Sequence, residues 1–157
     1  MIKVAKYEFN LQDDVFFNRI ALVLYAQGCK WNCKGCHSKE LWTFEGGQEL
    51  TPKDIVDTLD KRRVDPKEIT IVGQGGDFWF QFNEWLEFCK MIKNALPDIK
   101  IAWQTGAPAE AVKRVLYNYL YPFDVIACER PFKDTSNTEN RKYLIWEDGR
   151  EEWKVLP

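Results

Sequence analysis

The chain has 157 residues, a formal net charge of -2 and 45% hydrophobic residues. A chain of this length buries a core as a single domain over residues 1–157, and its near-neutral charge is unlike the basic surface of a protein that holds nucleic acid phosphates. The sequence shows neither a twenty-residue apolar run nor an apolar signal region at its beginning, so we expect a cytoplasmic protein that binds neither membrane nor nucleic acid.

Strand-like and helix-like segments alternate along the chain. The first predicted strand is Ile20–Ala26, and Thr51 with Pro52 begins a helix that ends near Arg63. The later predicted elements are the strand 69–72, the helix 83–95, the strand 99–103, the helix 108–119, the strand 124–127 and a hairpin turning at Asp148 and Gly149. This order predicts an α/β fold with a mainly parallel sheet. Four or five such steps are too few to close an eight-stranded barrel, so we expect a partial, open (β/α) barrel.

Three cysteines, Cys29, Cys33 and Cys36, follow the first predicted strand within eight residues. Three thiolates on one short loop indicate a metal centre with one open position. A structural zinc site usually closes a tetrahedron of four ligands, whereas a 4Fe-4S cluster held by three cysteines leaves one iron free to bind a substrate. The spacing favours the cluster, and a structural zinc or iron site is the alternative.

Further motifs follow the later predicted strands, where a parallel sheet gathers its ligand sites. They are Gly73–Asp77, Gln104–Gly106 and the segment that begins at Cys128. Cys128 has either a ligand or redox role or, as we favour, is a packed core residue. Cys89 falls on the apolar stripe of its predicted helix and is expected to be a core residue. One face of the sheet is therefore expected to hold one ligand.

The order and spacing of these motifs resemble those of the activating proteins of the anaerobic ribonucleoside-triphosphate reductase, a branch of the radical S-adenosylmethionine (SAM) glycyl-radical activases. The matching segments are 27–37, 50–51, 75–77, 103–106, 123–126 and 136–141. The resemblance implies a fold of radical SAM type in which Cys29, Cys33 and Cys36 hold a catalytic 4Fe-4S cluster. It further implies cofactor contacts from Trp31, His37, Gly75, Gly76, Asp77 and Thr105.

Several of these assignments have plain structural alternatives. A Gly-rich segment such as 73–77 also forms an ordinary strand-to-helix turn, and Thr105 precedes a glycine in another turn motif. His37 packs on the nucleoside of SAM, donates a hydrogen bond to the cluster edge, or caps the next helical turn, and Trp31 is the second candidate for holding the adenine. Arg141 either pairs with the SAM carboxylate or the partner protein, or is a solvated surface charge.

By the resemblance, the protein is an oxidoreductase that cleaves SAM reductively and generates a glycyl radical on the large subunit of the anaerobic (class III) ribonucleotide reductase. An electron donor such as flavodoxin is a second implied partner. Two alternatives are a radical SAM enzyme acting on a small molecule, such as a 7-carboxy-7-deazaguanine synthase, and a non-enzymatic zinc or iron-sulfur binding module.

Overall fold

The computed structural model describes residues 1–14, 16–33, 36, 38–117, 119–128, 142–147 and 150–155, the last two ranges as backbone only. Eight strands and three α-helices lie within these residues. In chain order they are β1 (Ile2–Asn10), β2 (Ile20–Ala26), β3 (Gln48–Leu50), α1 (Pro52–Arg62), β4 (Ile69–Gly75), α2 (Phe82–Ala95), β5 (Lys100–Gln104), α3 (Ala109–Val115), β6 (Val125–Cys128), β7 (Lys142–Glu147) and β8 (Arg150–Val155).

The eight strands form one open sheet in the order β3-β1-β2-β4-β5-β6-β7-β8. The four central strands, β2, β4, β5 and β6, are parallel, which confirms the predicted α/β class and the parallel arrangement. Antiparallel pairs flank this centre on both sides. The central register places Ala26 beside Gly75 and Gln104 beside Ala127, so four carboxyl ends meet at one edge.

The helices cover one face of the sheet because alternate strand residues are large and apolar on that side. Trp85 and Ile92 of α2 pack there in the same core as Leu24, Ile71 and Trp103. The opposite face carries smaller buried side chains: Ala21, Val23, Val72, Ala102, Val125 and Ala127. The helices therefore cover one face of the sheet, and the other face carries small buried side chains.

The predicted start of the first helix is confirmed by its cap. The Thr51 side chain accepts a hydrogen bond from the Asp54 backbone N–H, the Asp54 carboxylate accepts one from the Thr51 backbone N–H, and Pro52 is the first helical residue. This reciprocal pair satisfies two N–H groups that have no partner within the helix. The helix ends where Arg63 adopts a left-handed conformation with φ of 53°.

Two features of the fold differ from the prediction. Helix α3 ends at Val115, before the predicted Tyr119, because Tyr117 takes a positive φ of 52° that a helix cannot continue through. Strands β1 and β3 were not predicted. The antiparallel pairing of β7 with β8 confirms the terminal hairpin, while its turn at Asp148 and Gly149 lies outside the described residues. Within the described part of the chain, no helix has the length and apolarity to cross a membrane.

Candidate functional site

The cysteine loop leaves the end of β2 and is paired with a returning segment of the chain. The Gly28 backbone N–H donates to the Leu41 carbonyl over 2.8 Å, and the Cys29 N–H donates to the Trp42 carbonyl over 3.2 Å. Within the loop, the Cys36 N–H donates to the Cys33 carbonyl over 3.3 Å. The loop is thus fixed at its start by backbone pairing and turned back on itself near its third cysteine.

The structure brings the three predicted ligands together at the carboxyl ends of the central strands. They line one cavity with residues from the loops after β4 and β5; the lining residues are Cys29, Trp31, Cys33, Cys36, Trp42, Gly75, Gly76, Asp77, Gln104 and Gly106. Trp42 was not predicted, since no spacing in the sequence relates it to the cysteines. The convergence joins motifs that lie far apart in the chain into one site.

The donor set of this cavity fits an iron-sulfur cluster by its chemistry. Three thiols from one loop supply the soft ligands that iron-sulfur clusters take. Among the described residues, no group of three His, Cys, Asp or Glu side chains is placed to hold a single metal ion. The cavity that these residues line encloses about 10 Å³.

Burial controls the protonation of the first thiol. It raises the pKa of Cys29 to about 11, an effect that a hydrogen bond with the Trp31 backbone opposes and that the nearby Asp77 charge reinforces. Iron binding to a thiol of this kind releases its proton, because the thiolate is the ligand. The Cys36 sulfur accepts a hydrogen bond from the Ser38 N–H over 3.4 Å, a contact of the type that stabilises a sulfur ligand.

The loop after β4 lies directly against the start of the cysteine loop. The Gly76 N–H donates to the Ala26 carbonyl and the Asp77 N–H donates to the Gly28 carbonyl, each over 3.0 Å. A Cβ added to Gly76 would lie 2.6 Å from the carbonyl oxygens of both Ala26 and Gly28. Glycine is required at position 76 by this close approach of two backbones.

The Asp77 carboxylate is buried and accepts hydrogen bonds from four donors. Oδ2 accepts from the Trp31 indole (2.6 Å), the Thr105 hydroxyl (2.9 Å) and the Gly106 N–H (2.8 Å). Oδ1 accepts from the Trp79 N–H over 2.9 Å. Burial raises the pKa of Asp77, and these hydrogen bonds oppose that rise.

Trp31 lies in a tight space between the other two loops. Its ring centroid is 5.3 Å from that of Phe80, and a Cβ on Gly106 would come within 2.9 Å of the indole. Thr105 is buried, and its hydroxyl both donates to Asp77 and accepts from the Ala107 N–H over 3.1 Å. The SAM contacts predicted for Trp31, Asp77 and Thr105 stay predictions, and the structure adds contacts that join these residues to each other.

The remaining predicted residues fall into two groups. Cys89 and Cys128 are buried in the main hydrophobic core, which agrees with packing roles, and burial raises the pKa of Cys89 well above its usual range. His37 and Arg141 lie outside the described residues, so their roles stay predictions.

Comparison with known proteins gives a family and several relatives. A family model described as a 4Fe-4S single cluster domain matches residues 19–147. The chain is 27% identical over 129 residues to an anaerobic ribonucleoside-triphosphate reductase-activating protein of Pasteurella multocida, a match that covers 78% of each chain.

Two other relatives match over a shorter length. The chain is 29% identical over 76 residues to the pyruvate formate-lyase-activating enzyme of Clostridium pasteurianum and 26% identical over 76 residues to pyruvate formate-lyase 1-activating enzyme of Escherichia coli. These matches cover 47% and 45% of this chain, but only 32% and 31% of the two enzymes. Among solved structures, QueE from Escherichia coli is similar with a TM-score of 0.49 and 15% identity, over 68% of this chain and 53% of that chain.

Proposed function

This chain belongs to the 4Fe-4S single cluster domain family, and from that premise we propose that it is a radical SAM activase whose substrate is the large subunit of an anaerobic ribonucleotide reductase. The predicted resemblance to the reductase-activating proteins is confirmed by the comparisons, and the chain is an enzyme of the activating class. The SAM cofactor and the identity of the activated protein are the proposed parts.

The observation that carries the proposal is the convergence of three thiols with two glycine-containing loops on one cavity. Cys29, Cys33 and Cys36 would hold three irons of the cluster, and the thiol set lacks a fourth cysteine from this cavity among the described residues. When bound, such a cluster supplies the electron that splits SAM and so yields the radical that takes a hydrogen atom from a glycine. The remaining lining residues then have to bind and orient SAM.

The backbone at Gly75 and Gly76 supports a SAM-binding role for the second loop. Gly75 has a positive φ of 97°, and Gly76 has no side chain between its backbone and the cysteine loop. Both features let the main chain of this loop lie directly against β2 and the cysteine loop, and both glycines line the cavity there. We assign the methionine portion of SAM to this loop, with Asp77 and Thr105 beside it, and the adenine to Trp31 and His37.

The extent of the similarity supports a ribonucleotide reductase as the substrate. The match to the Pasteurella protein extends over 78% of both chains, whereas the matches to the pyruvate formate-lyase activases cover about a third of those enzymes. The open sheet fits a macromolecular substrate that inserts a glycine loop, whichever glycyl-radical protein it is. An electron donor such as flavodoxin and a reducing, cytoplasmic setting belong to the same proposal, because the cluster must be reduced before each cleavage.

The proposed substrate is tested by offering two candidates to the same enzyme. Anaerobically reconstituted and reduced protein is incubated with SAM and either the large subunit of an anaerobic ribonucleotide reductase or pyruvate formate-lyase, and each mixture is examined by EPR. We expect a glycyl radical doublet on the reductase alone. A doublet on pyruvate formate-lyase alone, or SAM cleavage with no doublet on either protein, would assign the activase to another substrate.

A further inference from the structure

Asp77 makes more contacts than a turn residue needs. It is the N-cap of a short 3-10 helix at Phe78–Gln81, and the cap uses Oδ1, which accepts from the Trp79 N–H. Oδ2 is engaged separately with Trp31, Thr105 and Gly106. Only one of the two oxygens is explained by the local turn.

The three donors to Oδ2 come from two other loops. Trp31 belongs to the loop after β2, and Thr105 and Gly106 belong to the loop after β5, while Asp77 itself follows β4. One buried oxygen therefore joins the ends of three parallel strands. Hydrogen bonds to a charged acceptor are stronger than neutral ones, so this junction resists separation of the loops.

Trp31 is well placed to transmit this restraint to the cysteine loop. It lies two residues from Cys29 and two from Cys33 in the sequence. Its indole is held by Oδ2 of Asp77 at 2.6 Å and is packed against Phe80 and Gly106. Fixing this ring fixes the backbone between two predicted iron ligands.

We infer that Asp77 is a positioning residue. It acts through the Trp31 indole and fixes the position of the cysteine loop relative to the loops after β4 and β5. The inference rests on the proposed function, because the cysteine loop carries the predicted ligands of the cluster.

Three variants separate this role from ordinary packing. Trp31→Phe keeps an aromatic ring and removes the indole N–H. Asp77→Ala removes both acceptor oxygens, and with them the hydrogen bond from the Trp31 indole. Trp79→Phe is the matched control, since Trp79 contributes its backbone N–H and that group is retained.

The first readout is hydrogen exchange of residues 29–33 and 104–107 in the metal-free protein, so it does not depend on a cluster. We expect Trp31→Phe to speed exchange in the cysteine loop by roughly tenfold or more, the factor that corresponds to a hydrogen bond to a charged group. Trp79→Phe should leave the exchange rate of the cysteine loop within about twofold of the parent's rate. In an Asp77→Ala background the effect of Trp31→Phe should vanish, because the indole then has no carboxylate to donate to and the two residues act as one pair.

The second readout is the rate at which a chelator removes iron from the reconstituted protein. We expect roughly tenfold faster release from Trp31→Phe than from Trp79→Phe, by the same hydrogen bond. Unchanged exchange in Trp31→Phe, or additive effects of the two substitutions, would overturn the positioning role. A parent protein that takes up no iron would refute the proposed function instead, while the exchange data would still decide whether Asp77 positions the loop. Faster exchange with unchanged iron release would overturn the link between the restraint and the cluster.

Discussion

Gly76→Ala tests the close approach of the second loop to the cysteine loop. The added Cβ would lie 2.6 Å from two carbonyl oxygens, those of Ala26 and Gly28, and both belong to backbone that cannot rotate away. Ordinary contact begins at about 3.4 Å, so the two loops must separate by about 0.8 Å. The same two carbonyls accept the N–H groups of Gly76 and Asp77.

The expected loss of stability follows from these contacts. Overpacking of this kind destabilises by about 1–3 kcal/mol, and weakening two hydrogen bonds adds about 0.5–1.5 kcal/mol each. The total is about 2–6 kcal/mol, which for a chain of this size lowers the melting temperature by at least about 4 °C.

The assay is thermal unfolding of the metal-free protein followed by circular dichroism under anaerobic conditions. Gly46→Ala is the control, because Gly46 also has a positive φ, of 82°, but no atom lies within 4 Å of the added Cβ. Gly46→Ala should lower the free energy of unfolding only by the backbone strain, about 1–2 kcal/mol. If Gly76→Ala melts within about 1 °C of the parent, or above Gly46→Ala, the close approach of the loops is refuted.

Three further predictions concern the cap, the core and the first ligand. Thr51→Ala removes the capping box and should lower the free energy of unfolding in urea by about 1 kcal/mol, whereas an equal stability would contradict the cap. Lys93→Met breaks a nearly buried ion pair with Asp124 (2.6 Å) and should lower the free energy of unfolding by about 2 kcal/mol, since Lys100 still pairs with that carboxylate over 3.6 Å. Lys53→Met removes an exposed ion pair with Asp57 and should leave the stability unchanged, so equal effects of the two substitutions would refute the distinction. Alkylation of Cys29 in the metal-free protein, followed by peptide mass spectrometry, should keep accelerating with pH up to about 11, because burial raises its pKa and suppresses the thiolate below that pH; a plateau at the ordinary thiol pKa would contradict this burial effect.

The sequence predicted the parallel centre of the sheet well because its signals are local. Strand β2 has the predicted bounds Ile20–Ala26, and α1 begins at the predicted cap Thr51. Continuous apolar runs and a Thr-Pro helix start depend on neighbouring residues alone, so they are visible without knowledge of the fold.

Strands β1 and β3 were missed for a physical reason. The alternation of β1 changes phase, because the register shifts between Val4 and Lys6: Ile2 and Val4 are buried before the shift, and Tyr7 and Phe9 pack against the core after it. β3 has three residues, two of them exposed, and becomes a strand only by pairing with β1. Tertiary pairing, rather than local propensity, determines both elements.

The sequence predicted the ligand residues of the site, but not the hydrogen bonds that join its loops. The spacing of Cys29, Cys33 and Cys36 identified the loop, and the structure places all three thiols on one cavity. The hydrogen bond from Trp31 to Asp77 joins residues 46 positions apart, and the pairing of Trp42 with Cys29 depends on the path of the returning chain. Such contacts follow from the register of the sheet, which single-residue patterns do not specify.

The most direct test of the account is the amount of 5'-deoxyadenosine formed when the anaerobically reconstituted, reduced protein is given SAM. Cys33→Ala removes a predicted iron ligand, and Cys89→Ala removes a core cysteine outside the cavity, so the pair forms a matched comparison. We predict that the parent and Cys89→Ala form 5'-deoxyadenosine and that Cys33→Ala forms none. Equal formation by both variants, or none by an iron-loaded parent, would contradict a SAM-cleaving cluster at this loop.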